Sequence, residues 1–223
     1  MKVLVTGASG MLGGAVADAL AARGDDVTVL QRRPSGLRHR EVLADVADPA
    51  AVRAAVTGQD AVVHLAAKVD IQGRYRDFAR VNITGTRNVV SACRHGGVAR
   101  LVHVSTPAVA HHGTALVGAP AGPADPRSAR GHYARSKAAA EWVALAADAA
   151  PDGPATVVVR PHLVWGPGDT QLVGRIIARA RACPWKRAIR TKSTNWRQHS
   201  SRWHHACSIS TNQISFERRW LRC

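Results

Sequence analysis

Apolar positions in this chain fall into two textures. Short, β-branched, nearly continuous apolar runs alternate with longer Ala-rich stretches in which polar residues recur every three or four positions. The short runs Lys2–Thr6, Val27–Gln31, Glu41–Ala44, Ala61–Leu65, Val98–Val104 and Ala155–Val159 predict strands. The longer stretches Met11–Arg23, Pro49–Thr57, Tyr75–His95 and Gly131–Ala149 predict helices, and Leu172–Arg181 a last one. Asp48 and Pro49 are a helix-opening pair, Gly96-Gly97 a stop, and Pro34-Ser35-Gly36 a turn. Strands that are apolar on both faces, each followed by a helix, predict a parallel sheet covered on both sides. Residues 107–130 are rich in Gly, Pro, Ala and His and read as a loop over the carboxyl ends of the strands, where such sheets bind ligands.

The first strand runs directly into Thr6-Gly7-Ala8-Ser9-Gly10-Met11-Leu12-Gly13, which opens the first helix. Gly7 suits a tight turn, Gly10 a close approach of backbone to a pyrophosphate, and Gly13 close packing of helix on sheet. The helix N-terminus offers free N–H groups and a positive dipole end to phosphates. Strand, turn and helix in this order predict a dinucleotide site rather than a glycine turn made for packing alone. The fold class expected is therefore α/β, a Rossmann-like doubly wound parallel sheet.

Dinucleotide sites commonly place an acid after the second strand to hold the ribose hydroxyls. Here the strand ends Gln31-Arg32-Arg33, a neutral amide and two guanidinium groups. Arginine grips phosphate well, so NADP is favoured over NAD. The alternative is that Arg32 and Arg33 are solvated turn residues.

Tyr133 and Lys137 are four apart on a predicted helix and share a face. A nearby ammonium should lower the phenol pKa, so that Tyr133 exchanges a proton with a substrate oxygen while hydride moves to or from a nicotinamide. Ser105 and Thr106 follow the fifth strand and offer hydroxyls to the same oxygen. His64 in an apolar strand reads as a satisfied core histidine; His111, His112 and His132 read as exposed loop residues, and no set of ligands at metal spacing is evident.

The spacing Gly-x-x-Gly-x-x-Gly resembles the extended branch of the short-chain dehydrogenase/reductase superfamily, the NAD-dependent epimerase/dehydratase family. Asp60–Ala67, Val81–Asn88, Val104–Val109, Tyr133–Lys137 and Arg160–Asp169 carry the resemblance in order. The segments Arg160-Pro161-His162, Gln171–Val173 and Ala67–Asn82 look most like 3β-hydroxysteroid dehydrogenase-type members. The resemblance implies an oxidoreductase acting on a secondary alcohol or ketone, with Thr106, Tyr133 and Lys137 catalytic and Asn82 helping to position the lysine. It also implies cofactor contacts from Gly7, Ser9, Gly10, Met11, Leu12, Gly13, Gln31, Arg32, Asp45, Val46, Leu65, Ala66, Ala67, Tyr133, Lys137 and Pro161, with Asp45 near the adenine amine. A nucleotide-sugar epimerase or dehydratase uses the same Tyr and Lys, and a cofactor-binding remnant is a third reading. Members of this branch are often homodimers.

Charge changes the picture at one place. Of 31 Lys and Arg and 15 Asp and Glu, 9 and 1 fall after residue 181. Those last 42 residues hold four of six Trp and three of four Cys, but no Gly, Val or Asp. The resemblance ends near Ala182, so we expect a dinucleotide-binding domain over 1–182 and an atypical, unstructured basic tail over 183–223, the product of a frameshift, with the C-terminal substrate domain truncated. Trp among basic residues is also a pattern for non-specific nucleic-acid contact, though a nucleic-acid partner is not expected. No apolar run approaches the roughly 18 residues of a membrane span, the N-terminus does not read as a signal peptide, and no Cys pair suggests a disulfide framework. These readings imply a small-molecule substrate and a reducing cytoplasm.

Overall fold

The computed structural model describes residues 1–70, 72–111, 113, 118, 120–166, 169, 174 and 176–178. The chain divides into two units, Met1–Val173 and Gly174–Cys223. In the second unit Gly174 and residues 176–178 are helical. The rest of the expected helix Leu172–Arg181, and the tail 183–223, lie outside the described residues.

The first unit runs β1 (Lys2–Thr6), α1 (Met11–Ala22), β2 (Asp26–Gln31), β3 (Arg40–Leu43), α2 (Pro49–Val56), β4 (Ala61–His64), α3 (Tyr75–Phe78), a π-helical segment (Ala79–Thr84), α4 (Gly85–Gly96), β5 (Arg100–Val104), a short 3₁₀ turn (Pro107–Ala110), α5 (Gly131–Asp148) and β6 (Ala155–Val159). All strand pairs are parallel, in the order β3-β2-β1-β4-β5-β6. The order reverses between β1 and β4, which opens a crevice at their carboxyl ends.

Alternation along the strands decides which helices cover them. Val3, Val5, Val27 and Val29 pack with Ala17 under α1. Leu4, Leu30, Val62 and Leu101 point the other way and pack with Val52, Val56, Val89 and Cys93 of α2 and α4. A third cluster joins Val109, Ala124 and Ala129 of the long loop to Ala134 and Ala138 of α5. Asp48 caps α2 by accepting from the Ala50 and Ala51 N–H groups, and Gly97 ends α4 in the left-handed conformation that a glycine tolerates.

The long helix expected over Tyr75–His95 is helical throughout but not uniform. Its second turn widens into the π segment, a deviation often found at functional sites. His132, expected in a loop, lies in the first turn of α5 and packs against Tyr75 and Phe78 at ring-centroid distances of 5.7 and 6.1 Å. His111 is exposed, as expected; His112 lies outside the described residues.

Candidate active site

The turn after β1 is built to leave space. A Cβ at Gly13 would lie 2.3 Å from the Gly7 carbonyl oxygen, and one at Gly7, whose φ is +80°, would lie 2.8 Å from the Ala66 backbone. Gly10 caps α1 with no side-chain bond, and no acid stands in the first turn. The first N–H groups of α1 and its positive dipole end therefore face outward.

What they face is one cleft of about 660 Å³ at the carboxyl ends of the strands. From the β1 turn it is lined by Gly7, Ser9, Gly10, Met11, Leu12 and Gly13; from the ends of β2 and β3 by Gln31, Arg32, Asp45 and Val46. Beyond β4 come Leu65, Ala66 and Ala67, and from the β5 and β6 side Ser105, Thr106, Tyr133, Lys137 and Pro161. Every catalytic or cofactor-contact residue that the resemblance implied, except Asn82, lines it. The residues present fit a dinucleotide: bare glycine backbone and the first N–H groups of α1 would face its phosphates, and the buried hydroxyl of Ser105 has no partner among the described residues.

A buried chain of hydrogen bonds supports the cleft from beneath. The Thr6 hydroxyl accepts from the Leu65 and Ala66 N–H groups and lies 2.7 Å from His64 Nδ1. His64 Nε2 lies 3.1 Å from Thr86 Oγ1, whose proton goes to the Asn82 carbonyl at 2.6 Å. Thr86 thus accepts from His64, His64 carries its proton on Nε2, and Thr6 donates to Nδ1. His64 is the satisfied core histidine that its apolar strand implied. Burial, and secondarily the Lys137 charge, hold its pKa down to about 3.

Asn82 is 1% exposed and ends on other partners than the lysine. Its Oδ1 accepts from the Lys68 N–H at 2.7 Å, and its Nδ2 donates to the Lys68 carbonyl and to Ser136 Oγ at 2.8 Å. Ser136 donates in turn to the Tyr133 carbonyl. Asn82 therefore ties the loop after β4 to the backbone of α5, one turn from Lys137.

Lys137 is 2% exposed. Its ammonium donates to the Val104 carbonyl at 2.7 Å and lies 3.3 Å from His103 Nε2. Burial lowers its pKa to about 8, against a raising contribution from Glu141. The Tyr133 phenol departs from expectation: burial pushes its pKa up rather than the lysine pulling it down. The ammonium is committed to β5, so the phenol keeps its proton through the neutral range. Thr106 Oγ1 accepts from the Ala108 N–H at 3.3 Å, opening the 3₁₀ turn and leaving its own O–H to donate.

At the adenosine end the structure adds residues that the motifs did not show. Asp45 accepts from the Ala47 N–H at 2.9 Å and pairs with Arg80 at 2.9 Å. Burial opposes its ionisation, but those two partners outweigh it and the carboxyl stays below its ordinary value. Asp45 thus meets a guanidinium from the π segment while lining the cleft. Glu41 on β3 accepts from Gln31 Nε2 and from the Ser35 N–H and hydroxyl, so a carboxylate does approach the end of β2. A second recess of about 580 Å³ adjoins the cleft, with Arg32, Arg33, Lys68 and Arg80 against Asp70 and Asp77. Parallel pairing brings Glu41 in, and the π segment brings Arg80; a 3.6-residue reading of the helix registers neither.

A family model described as Epimerase, the NAD dependent epimerase/dehydratase family, matches residues 3–200. The chain belongs to this family. The match runs past residue 182, near which the resemblance was expected to end. Among epimerase/dehydratase relatives, a 2-alkyl-3-oxoalkanoate reductase of Stenotrophomonas maltophilia is 44% identical over 188 residues, 81% of this chain and 56% of that protein. A 3-beta-hydroxysteroid dehydrogenase of Mycolicibacterium neoaurum is 31% identical over 187 residues, 78% of this chain and 50% of that one. The solved structure of a dTDP-glucose 4,6-dehydratase from Streptomyces venezuelae with NAD bound superposes with a TM-score of 0.70 at 26% identity, covering 82% of this chain and 62% of that one. The chain spans about half the length of the curated relatives that it matches. Among the described residues no helix is long and apolar enough to cross a membrane, and no group of three or more His, Cys, Asp or Glu is placed to hold a metal ion.

Proposed function

We propose that this chain binds NADP, in preference to NAD, in the 660 Å³ cleft and supplies the proton-exchanging groups of an oxidoreductase acting at a secondary alcohol or ketone. One observation carries the reading: a single cleft brings the bare phosphate turn together with the hydroxyls of Ser105 and Thr106, the Tyr133 phenol and the Lys137 ammonium. The nicotinamide, when bound, gives or takes the hydride. The chain's own groups do the rest. Tyr133, kept protonated by burial, is a proton donor suited to a carbonyl oxygen being reduced. The Ser105 and Thr106 hydroxyls donate to that same oxygen. Lys137 brings a positive charge to the cleft and holds the ribose.

Similarity to a 2-alkyl-3-oxoalkanoate reductase favours ketone reduction, and similarity to a 3-beta-hydroxysteroid dehydrogenase favours a bulky apolar substrate. A small-molecule substrate and a cytoplasmic setting go with this reading. The preference for NADP rests on Arg32 and Arg33, which line the adjoining recess together with Lys68 and Arg80. A nucleotide-sugar epimerase or dehydratase is the second reading, favoured by the superposition on the dTDP-glucose 4,6-dehydratase.

Titration of the 223-residue protein with NADPH and NADH, followed by fluorescence, tests the proposal. NADPH is expected to bind about tenfold tighter, the worth of roughly one charge-assisted hydrogen bond. Equal or tighter NADH binding refutes the NADP clause, and binding of neither refutes the site.

A further inference from the structure

His103 lies one residue before the end of β5, 0% exposed, with its imidazole against the one buried ammonium of the cleft. An ammonium only donates hydrogen bonds, so His103 Nε2 accepts and the ring proton sits on Nδ1. That Nδ1 is buried and has no partner among the described residues. The His64 ring lies 5.4 Å away, centroid to centroid, but both of its nitrogens are spent on Thr6 and Thr86. A phenylalanine or leucine would fill the place without burying an unpaired N–H. The imidazole thus costs the fold on one side, and on the other it offers a lone pair to Lys137 alone.

We infer that His103 is a positioning residue for Lys137: its neutral Nε2 and the Val104 carbonyl fix the ammonium at the carboxyl end of β5 and leave one N–H for the cleft. The inference rests on the reading that Lys137 serves a bound dinucleotide. An ammonium has three N–H groups; two are spoken for by acceptors 3.3 and 2.7 Å away. The third is directed by tetrahedral geometry away from both, and Lys137 lines the cleft. The charged and titratable groups around the pair are few. Glu141 on α5 acts on Lys137 but is itself bonded to Arg160; Tyr133 is neutral; His64 on β4 is held neutral by burial and by its bonds. His103 is held neutral in the same way, by burial and by the adjacent lysine. A charged imidazole there would face the ammonium and expel it.

Two variants and one spectrum test the inference. His103→Phe keeps a planar ring and removes the acceptor; His103→Gln restores an acceptor through Oε1. Loss of a bond to a charged group is expected to weaken NADPH binding about tenfold in His103→Phe. Lys137 would then lose its proton more easily, so binding should fall off at a lower pH than in the parent, where Lys137 titrates at about 8. His103→Gln should bind within about threefold of the parent and keep its pH profile. A His103→Phe protein that matches the parent in affinity and pH profile overturns the inference. Nitrogen-15 histidine spectra of the unaltered protein decide without any variant: Nδ1–H is expected for His103, and Nε2–H overturns it. If the parent binds neither dinucleotide, the reading of the cleft fails, while the spectrum still reports on the His103–Lys137 bond.

Discussion

Arg160, just past the end of β6, and Glu141 on α5 form a buried bidentate ion pair, with the two side chains 15% and 2% exposed. The third guanidinium nitrogen donates to the Gly122 carbonyl at 2.7 Å. One arginine thus joins a strand end, a helix and the long loop beside Pro161, which lines the cleft. Glu141→Ala leaves that guanidinium buried without its counter-charge, and a loss of about 3–5 kcal/mol is expected in urea unfolding. A loss under about 1 kcal/mol, typical of a surface pair, would show that the pair is open to solvent.

Two buried histidines set the response to acid. His64 has a folded pKa of about 3 against 6.5 for an ordinary histidine, and His103 is also pushed well below 6.5. The unfolded chain therefore binds protons below pH 6.5 that the folded chain does not, and stability falls as pH falls. Between pH 6.5 and about 5.5 this comes chiefly from the buried histidines, before the carboxylates of Asp25, Glu41, Asp45 and Asp152 begin to titrate. His64→Gln should flatten the loss of Tm over that window, whatever its effect on Tm itself. An unchanged slope would mean that His64 accepts a proton in the folded protein.

Lys137 sets a second window of the same sign at higher pH. Its folded pKa of about 8 lies below the ordinary 10.5, so the unfolded chain holds the extra proton between those values and this group's contribution to stability rises with pH there. Cys93 works against it at higher pH, since burial raises its thiol from 9.0 to about 12. The comparison of parent with Lys137→Met isolates the lysine. The Tm of the parent relative to the variant should climb from pH 8 to 10, and a flat difference would place the ammonium in solvent.

The Cys93 thiol is fully buried and its pKa raised to about 12, so the reactive thiolate is scarce. The peptide carrying Cys93 should resist iodoacetamide in the native protein at pH 8 and react fully in urea, read by mass spectrometry. Rapid native labelling would contradict the packing of α4 on the sheet.

Gly13→Ala tests the phosphate turn. The added Cβ meets the Gly7 carbonyl oxygen at 2.3 Å, backbone against backbone, so the turn must shift. A cost of about 1–3 kcal/mol in stability and loss of dinucleotide binding are expected. Gly10→Ala, whose Cβ meets only one atom at 3.4 Å, should leave stability nearly intact and weaken binding alone. Equal destabilisation by the two would refute the distinction between them.

The sequence by itself determined the six strands, their helices and the parallel sheet, because short continuous apolar runs and longer runs of period 3.6 are local signals and Gly7–Gly13 sits at a strand–helix junction. It also named most of the residues that line the cleft, since the motifs sit at the carboxyl ends of strands or on the helices beside them, and the topology sends those strand ends to one place. What only the tertiary structure decided is where charges and protons go. Asp45 meets Arg80 because a π segment rotates the helix, and Glu41 reaches Gln31 because β3 pairs with β2. Tyr133 is raised rather than lowered, and Lys137 is bound to β5 rather than left to the phenol, because burial and hydrogen-bond partners set a pKa. Partners come from residues 10 to 35 positions away, such as Glu41 for Gln31 and Arg80 for Asp45, and a pattern of spacings along the chain holds no record of them.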